Sequence, residues 1–344
     1  MKKIFTILLV CLLAMTALFA QGEMESNRKP AAAPAAVKEA AEVKTGLAII
    51  ASNAKSKSAT DKADGQGRAD ITYAAVLVDD EGRVVSCVLD ALQGTVKFSN
   101  EGKLTTDKNA EVLSKNEIKE GYGMLKYSKI GKEWYQQAEA LCQYVVGLTA
   151  DEILSVSASS ASRNGIDLAS SATIGYTDLL ETIVKAIANA EYRGAKEGDS
   201  LYLEQSTSYS KSKDATSKAD GQTQSYAYMS AVTVNEGVIT SMVIDSVQAT
   251  VKFDAKGQIT SDINAPVQTK LELKDAYGMI KASKIGKEWY QQAESFCAYA
   301  TGKTVEEVAN LAVTEKGGAV DADLVSSVTI GVTDFTEMVA KISK

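Results

Sequence analysis

The chain has 344 residues, enough for two domains of ordinary size, and 45% of them are apolar, enough for a packed core. A formal net charge of −7 argues against a nucleic-acid partner, which would want a basic face. Histidine is absent, which removes the commonest general base and metal ligand and excludes a Ser–His–Asp triad.

The chain starts Met1-Lys2-Lys3 and continues as an apolar run from Ile4 to Ala20, the basic-then-apolar pattern of a secretory signal peptide over residues 1–20. The run is short for a membrane span, so cleavage after Ala20 is expected. The mature chain is then extracytoplasmic: periplasmic, at the cell surface or secreted. Cys11 follows Val10, where a lipidation signal wants a small residue, and reads as part of the signal core and not as a lipid anchor. Residues 21–44 are rich in Ala, Glu and Lys and carry Pro30 and Pro34, the composition of a tether.

A long repeat follows. Lys62-Ala63-Asp64-Gly65-Gln66 recurs as Lys218-Ala219-Asp220-Gly221-Gln222, and Ser128 to Glu139 recurs residue for residue at Ser283 to Glu294. A spacing of about 155 residues is too long for a solenoid unit and right for a whole domain. Two homologous domains are expected, 45–190 and 200–344, joined by Asn189 to Ser200.

Within the first repeat, Ile71 to Val78 and Arg83 to Leu89 are β-rich runs around the hairpin chemistry of Asp79-Asp80-Glu81-Gly82. A third run, Gly94 to Phe98, completes an expected antiparallel meander. Ile130, Trp134, Ala138, Leu141 and Val145 then fall on one helical face. Gly147 and Gly302 stand where a left-handed helix cap is wanted. Thr149 with Glu152, and Thr304 with Glu307, are capping boxes. Asp178–Ala188 and Asp334–Ile342 are helical in pattern, with Thr177 and Thr333 as candidate N-caps. Each domain is therefore α+β, a small antiparallel sheet followed by helices.

Cys87, Cys142 and Cys297 are odd in number. Cys142 and Cys297 occupy equivalent repeat positions without an evident partner, so all three read as buried, inert thiols. No Cys-x-x-Cys pair is present, which argues against zinc, haem and iron–sulfur centres.

One short stretch closes each repeat: Asp167-Leu168-Ala169-Ser170-Ser171-Ala172-Thr173 and Asp323-Leu324-Val325-Ser326-Ser327-Val328-Thr329. By itself a hydroxyl-rich turn of this kind is a capping turn, with Asp167 bonding nearby amides. Its recurrence, the small residues that leave the threonine reachable, and the helix start behind it, where free N–H groups suit a phosphate, point further.

The stretch resembles the flavinylation motif of FMN-binding domains, Asp-x-x-(Ser/Thr)-Gly-Ala-Thr. With Tyr122-Gly123-Met124, Tyr277-Gly278-Met279 and the Gly-Lys-Glu-Trp helices, the chain after its tether is similar to the two-domain secreted flavoproteins of flavin-based extracellular electron transfer in Gram-positive bacteria. The resemblance implies that an FMN transferase attaches FMN through a phosphoester to Thr173 and Thr329. It implies two covalent FMN groups, a membrane-bound electron donor and an extracellular or periplasmic acceptor. Ser171 and Ser327 replace the motif's glycine, at a cost if the turn needs positive φ, and Val328 replaces alanine and is expected to crowd the second site. Thr173 is the better acceptor on that ground.

An isoalloxazine ring wants an aromatic- and Met-lined cleft, for which Tyr122, Gly123, Met124, Tyr277, Gly278 and Met279 are the candidates. Trp134 and Trp289 read as core. Lys97, Lys129, Lys132, Lys252, Lys284 and Lys287 are available to offset phosphate charge. The residues also leave open a cofactor-free duplicated surface module and an extracytoplasmic FMN-dependent reductase.

Overall fold

The computed structural model describes residues 40–157 and 159–343. The signal sequence, Cys11 and the tether up to residue 39 lie outside the described residues. The first repeat runs β1 (Glu42–Ser52), β2 (Gly65–Val78), β3 (Val84–Phe98), α1 (Lys115–Ile118), α2 (Trp134–Val145), α3 (Ala150–Leu154), α4 (Leu168–Ser171), α5 (Thr177–Ala188) and β4 (Glu191–Lys196). The second runs β5 (Ser200–Ser208), β6 (Gly221–Asn235), β7 (Val238–Phe253), α6 (Lys270–Leu273), α7 (Trp289–Ala300), α8 (Val305–Ala309), α9 (Ala322–Val325) and α10 (Thr333–Ile342). Two antiparallel sheets, ordered β3-β2-β1-β4 and β5-β6-β7, are each followed by helices, an α+β architecture built twice.

The sheets lie face to face. Leu47, Ile49, Ile71 and Tyr73 of one sheet share a core with Met229, Ala231, Val243 and Val247 of the other. The alternate residues of β2, Ala74, Val76 and Val78, face the opposite way, onto α2 and α5. Tyr73–Val78 is therefore buried without a break, as expected of a strand covered on both faces. The sheets approach closely at Gly67, where a Cβ would lie 1.7 Å from the Thr223 hydroxyl.

Equivalent residues of the two repeats meet each other reciprocally. Phe98 stacks on Phe253 with ring centroids 4.0 Å apart and planes within 1°. The amide of Ala59 donates to Gly257 O at 2.8 Å, and that of Ala215 donates to Gly102 O at 2.8 Å. Lys185 pairs with Glu272 at 2.7 Å while Lys341 pairs with Glu117. Such mutual pairing is the signature of an isologous, two-fold contact. The repeats are thus arranged like the subunits of a symmetric dimer joined in one chain.

Several local expectations hold. The capping boxes form: Thr149 N donates to Glu152 Oε2 at 2.8 Å and Thr304 N to Glu307 Oε2 at 2.7 Å. Gly147 and Gly302 have φ of +79° and +86°.

Others are corrected. From Val84 on, the expected runs Arg83–Leu89 and Gly94–Phe98 belong to one strand, β3 (Val84–Phe98), which Asp90 does not break. Its buried carboxylate accepts from Tyr73 Oη at 2.9 Å and from the amides of Ala91 and Asn116. The joint between the repeats contains β4, which pairs with β1, and β1 starts at Glu42, inside the expected tether. Thr177 and Thr333 are the first helical residues; Tyr176 and Val332 hold the cap positions, without a side-chain cap. Among the described residues no helix is long and apolar enough to cross a membrane.

Candidate functional site

The duplicated Glu-Trp-x-x-Gln segment that opens α2 and α7 organises the site. Glu133 is buried, and its carboxylate accepts from Met124 N and Leu125 N, both at 2.9 Å. Its own amide donates to Gln136 Oε1 at 2.9 Å. A buried charge is tolerated here because charge-assisted bonds replace its water. Glu133 thereby staples the loop after Tyr122 to the helix, and Gly123 takes the φ of +72° that this loop demands.

One turn further, Gln137 is 0% exposed. Its Nε2 donates to Lys132 O at 3.0 Å. Its Oε1 accepts from Thr173 N at 2.7 Å, from Ile174 N at 3.2 Å and from Thr173 Oγ1 at 3.3 Å. Two lone pairs shared by three donors leave the hydroxyl contact the weakest, so the exposed Thr173 hydroxyl is released at little cost. The second repeat keeps the arrangement: Glu288 accepts from Met279 N and Ile280 N at 2.8 Å, and Gln292 Oε1 accepts from Thr329 N at 2.8 Å and Thr329 Oγ1 at 3.2 Å. Sequence reasoning missed both glutamates and both glutamines, although they lie in the longest exact repeat.

The motif residues serve as scaffold around the threonine. Asp167 caps α4, accepting from Ala169 N at 3.2 Å and from Ser170 Oγ at 2.8 Å. Ser171 is helical and mostly buried, Ala172 lies in the core, and neither Ser171 nor Ser327 has a positive φ. The cost expected for serine in place of glycine therefore does not arise. In the second repeat the cap moves two residues upstream. Asp321, not Asp323, accepts from Asp323 N and Leu324 N at 3.0 and 3.2 Å. Ser326 Oγ then donates to Asp323 O at 2.9 Å and Ser327 Oγ to Leu324 O at 3.2 Å. Val328 is buried in the helix-side core. Thr329 meets Gln292 as Thr173 meets Gln137, so the valine leaves the threonine's own placement unaltered.

Next along the chain from Thr173, Ile174 and Gly175 line a cleft of about 650 Å³. Tyr122, Gly123 and Met124 form one wall, Ile174 and Gly175, which follow Thr173, another, and Asp70, Thr72 and Gln93 the floor. Trp134 is buried as expected and lines the cleft as well. Lys115 extends over the rings of Tyr122 and Trp134, 4.8 and 4.7 Å from their centroids. Burial lowers its pKa to about 8.

The equivalent space in the second repeat is filled. Tyr226 and Tyr228 replace Asp70 and Thr72, and their rings stack 4.8 Å apart. Lys270, equivalent to Lys115 and only 3% exposed, lies 4.7, 4.8 and 4.6 Å from the ring centroids of Tyr226, Tyr277 and Trp289. It donates to Tyr226 Oη, and burial lowers its pKa to about 7. Phe335, in place of Leu179, packs edge-on against Tyr228 and Trp289. Tyr277 and Met279 pack against that core with Gly278, φ +74°, between them. Thr329 borders a separate hollow of about 310 Å³ with Lys284, Gly318 and Val325.

Of the other repeated lysines, Lys97, Lys129 and Lys252 are exposed and none borders the cleft beside Thr173. Lys132 is partly buried, and Lys287 donates to Ser295 Oγ at 3.3 Å. Comparison with known protein families, characterised proteins and solved structures finds no match to the chain.

Proposed function

We propose that the protein is an extracytoplasmic electron-transfer flavoprotein, carrying covalent FMN on Thr173 and offering Thr329 as a second acceptor. One observation carries the reading. An exposed threonine, pinned through its backbone by a buried glutamine, immediately precedes Ile174 and Gly175, which border an aromatic- and Met-lined cleft of small-molecule size. FMN, when bound, supplies one- and two-electron transfer.

The chain's own residues fit such a group in the first repeat. Gln137 fixes the Thr173 backbone while leaving its hydroxyl accessible. Tyr122, Met124 and Trp134 provide apolar and aromatic walls, and Glu133 holds the loop that carries the first two. Gly175 keeps the wall next to Thr173 free of a side chain. Lys115 offers a cation below about pH 8, beside Lys55, which pairs with Asp70 at 2.8 Å, in a lining that also carries the Asp178 carboxylate.

In the second repeat the acceptor fits and the cleft does not, because Tyr226, Tyr228 and Lys270 occupy it. There the cofactor-free reading has its support, and the first repeat is the principal flavin carrier. Electrons would arrive from a membrane-bound donor and leave to an extracellular or periplasmic acceptor. An FMN transferase would load the chain.

The test is intact mass and visible absorption after co-expression with an FMN transferase. Thr173→Ala should abolish attachment at the first repeat and remove most of the colour that survives denaturation. The fold should persist, since Gln137 Oε1 keeps its two amide donors. An unmodified, colourless wild-type chain, with the transferase active on a control substrate, would sink the flavin reading at both sites.

A further inference from the structure

The first repeat holds a feature that the second lacks and that the flavin reading does not use. Cys87 on β3 and Cys142 on α2 face one another with their sulfurs 3.1 Å apart. They are 55 residues apart in sequence, and each sits on a regular element that fixes its direction. Cys142 is buried, whereas Cys87 is half-buried. Both border a cavity of about 510 Å³ together with Glu139, Tyr135 and Val146. Two thiols already in contact across a sheet–helix interface, with an opening large enough for a small reagent, are the prerequisites of a reversible cross-link.

We infer that Cys87 and Cys142 are a dithiol–disulfide couple, closed by exchange with a small external disulfide that enters this cavity. The Cys87 thiolate attacks one sulfur of the external disulfide, forming a mixed disulfide and expelling a thiolate. Cys142 then attacks the Cys87 sulfur, and its proton passes to the second departing thiolate. The first expelled thiolate takes up the proton that Cys87 gave up, so the protein loses two protons and two electrons, and one external disulfide becomes two thiols. The order follows from the environment. Its hydrogen bond with Cys87 and its burial hold the Cys142 thiol protonated, so the more exposed Cys87 is the entry point.

The second repeat supplies the internal control. Met242 stands where Cys87 would be, and Met242 and Cys297 border one cavity, so the sulfur there is a thioether, and it cannot form a disulfide with Cys297. Burial pushes the Cys297 thiol up to about 12. The couple is therefore confined to the repeat with the open cleft. It ties α2, which carries Trp134 and Gln137, to the sheet beneath it. The inference is independent of flavin attachment, and its failure would leave that reading intact.

The experiment exposes the folded full chain to oxidised glutathione, quenches with acid, alkylates under denaturing conditions and maps the peptides. The expected result is a Cys87–Cys142 cross-linked peptide, a loss of two alkylatable thiols, and Cys297 alkylated as before. Cys142→Ser should stop at a glutathione adduct on Cys87, and Cys297→Ser should leave the cross-link unchanged. Oxidation should raise the thermal midpoint of the wild type and leave that of Cys142→Ser where it was. Full alkylation of Cys87 and Cys142 after exposure, or a glutathione adduct persisting on Cys87 in the wild type, would overturn the couple.

Discussion

The two repeats share one clamp and differ in what lies beside it. In both, a buried glutamate staples one loop and a buried glutamine holds a threonine, at distances that agree within 0.1 Å for the threonine amide, 2.7 and 2.8 Å. Beside the clamp, the first repeat has a cleft and the second a cage of aromatic rings around Lys270. Two positions on one strand account for most of the change: Asp70 and Thr72 become Tyr226 and Tyr228. Presenting the threonine and housing a ring beside it are thus separate properties, the first set by helix α2 or α7 and the second by the strand floor. Duplication kept one and let the other diverge.

The tryptophans give the largest test of this contrast. Trp289 is enclosed by Tyr228, Phe335 and Lys270, so Trp289→Ala should cost about 3–5 kcal/mol in chemical denaturation. Trp134→Ala enlarges a hollow that already opens to solvent and should cost roughly half as much. Equal costs would mean that the clefts do not differ in packing.

The contrast should also be breakable by design. The double substitution Tyr226→Asp with Tyr228→Thr restores the floor of the first repeat in the second. Titration with free FMN, followed by flavin fluorescence, should rise from one binding site per chain to two. A variant that remains folded and still binds at one site would show that the aromatic cage is not what closes the second cleft.

The smallest expected effect is in the pH dependence of stability. Lys270 has a folded-state pKa of about 7 and Lys115 of about 8, both below the ordinary 10.5, because burial disfavours their charged forms. Between each lowered value and 10.5 the unfolded chain binds the extra proton, so stability rises with pH across that window. The penalty is fully present below pH 7 for Lys270 and below pH 8 for Lys115. The two windows differ by about one pH unit, worth ~1.4 kcal/mol. Denaturation at pH 6.5 and 9 should therefore show a flatter profile for Lys270→Met than for Lys115→Met, each against wild type. Identical slopes would indicate that the two lysines sit in equivalent surroundings.

Much of the framework was legible in the chain. The exact copy of Ser128–Glu139 at Ser283–Glu294 announced the duplication, the capping boxes at Thr149 and Thr304 located short helices, and Tyr122-Gly123-Met124 fell on the cleft wall beside Thr173. The errors have local causes. The runs ending at Leu89 and starting at Gly94 are one strand, because Tyr73 and two backbone amides satisfy the buried Asp90 between them. Ser171 looks costly only if the turn needs positive φ, and it is helical. Cys142 had no evident partner because only the packing of α2 on β3 brings it to Cys87.

The sequence by itself determined that the fold is α+β and built twice, since local periodicity, turn chemistry and caps act over a few residues and repeat with the chain. Only the tertiary structure decided that the two sheets pack face to face, that Phe98 stacks on Phe253, that Gln137 and Gln292 reach across to the threonines, and that one cleft is open while the other is filled. Each of those depends on side chains dozens to more than a hundred residues apart meeting in space. Which partner a side chain meets there is set by burial and steric fit, and neither is written in the spacing of a single segment.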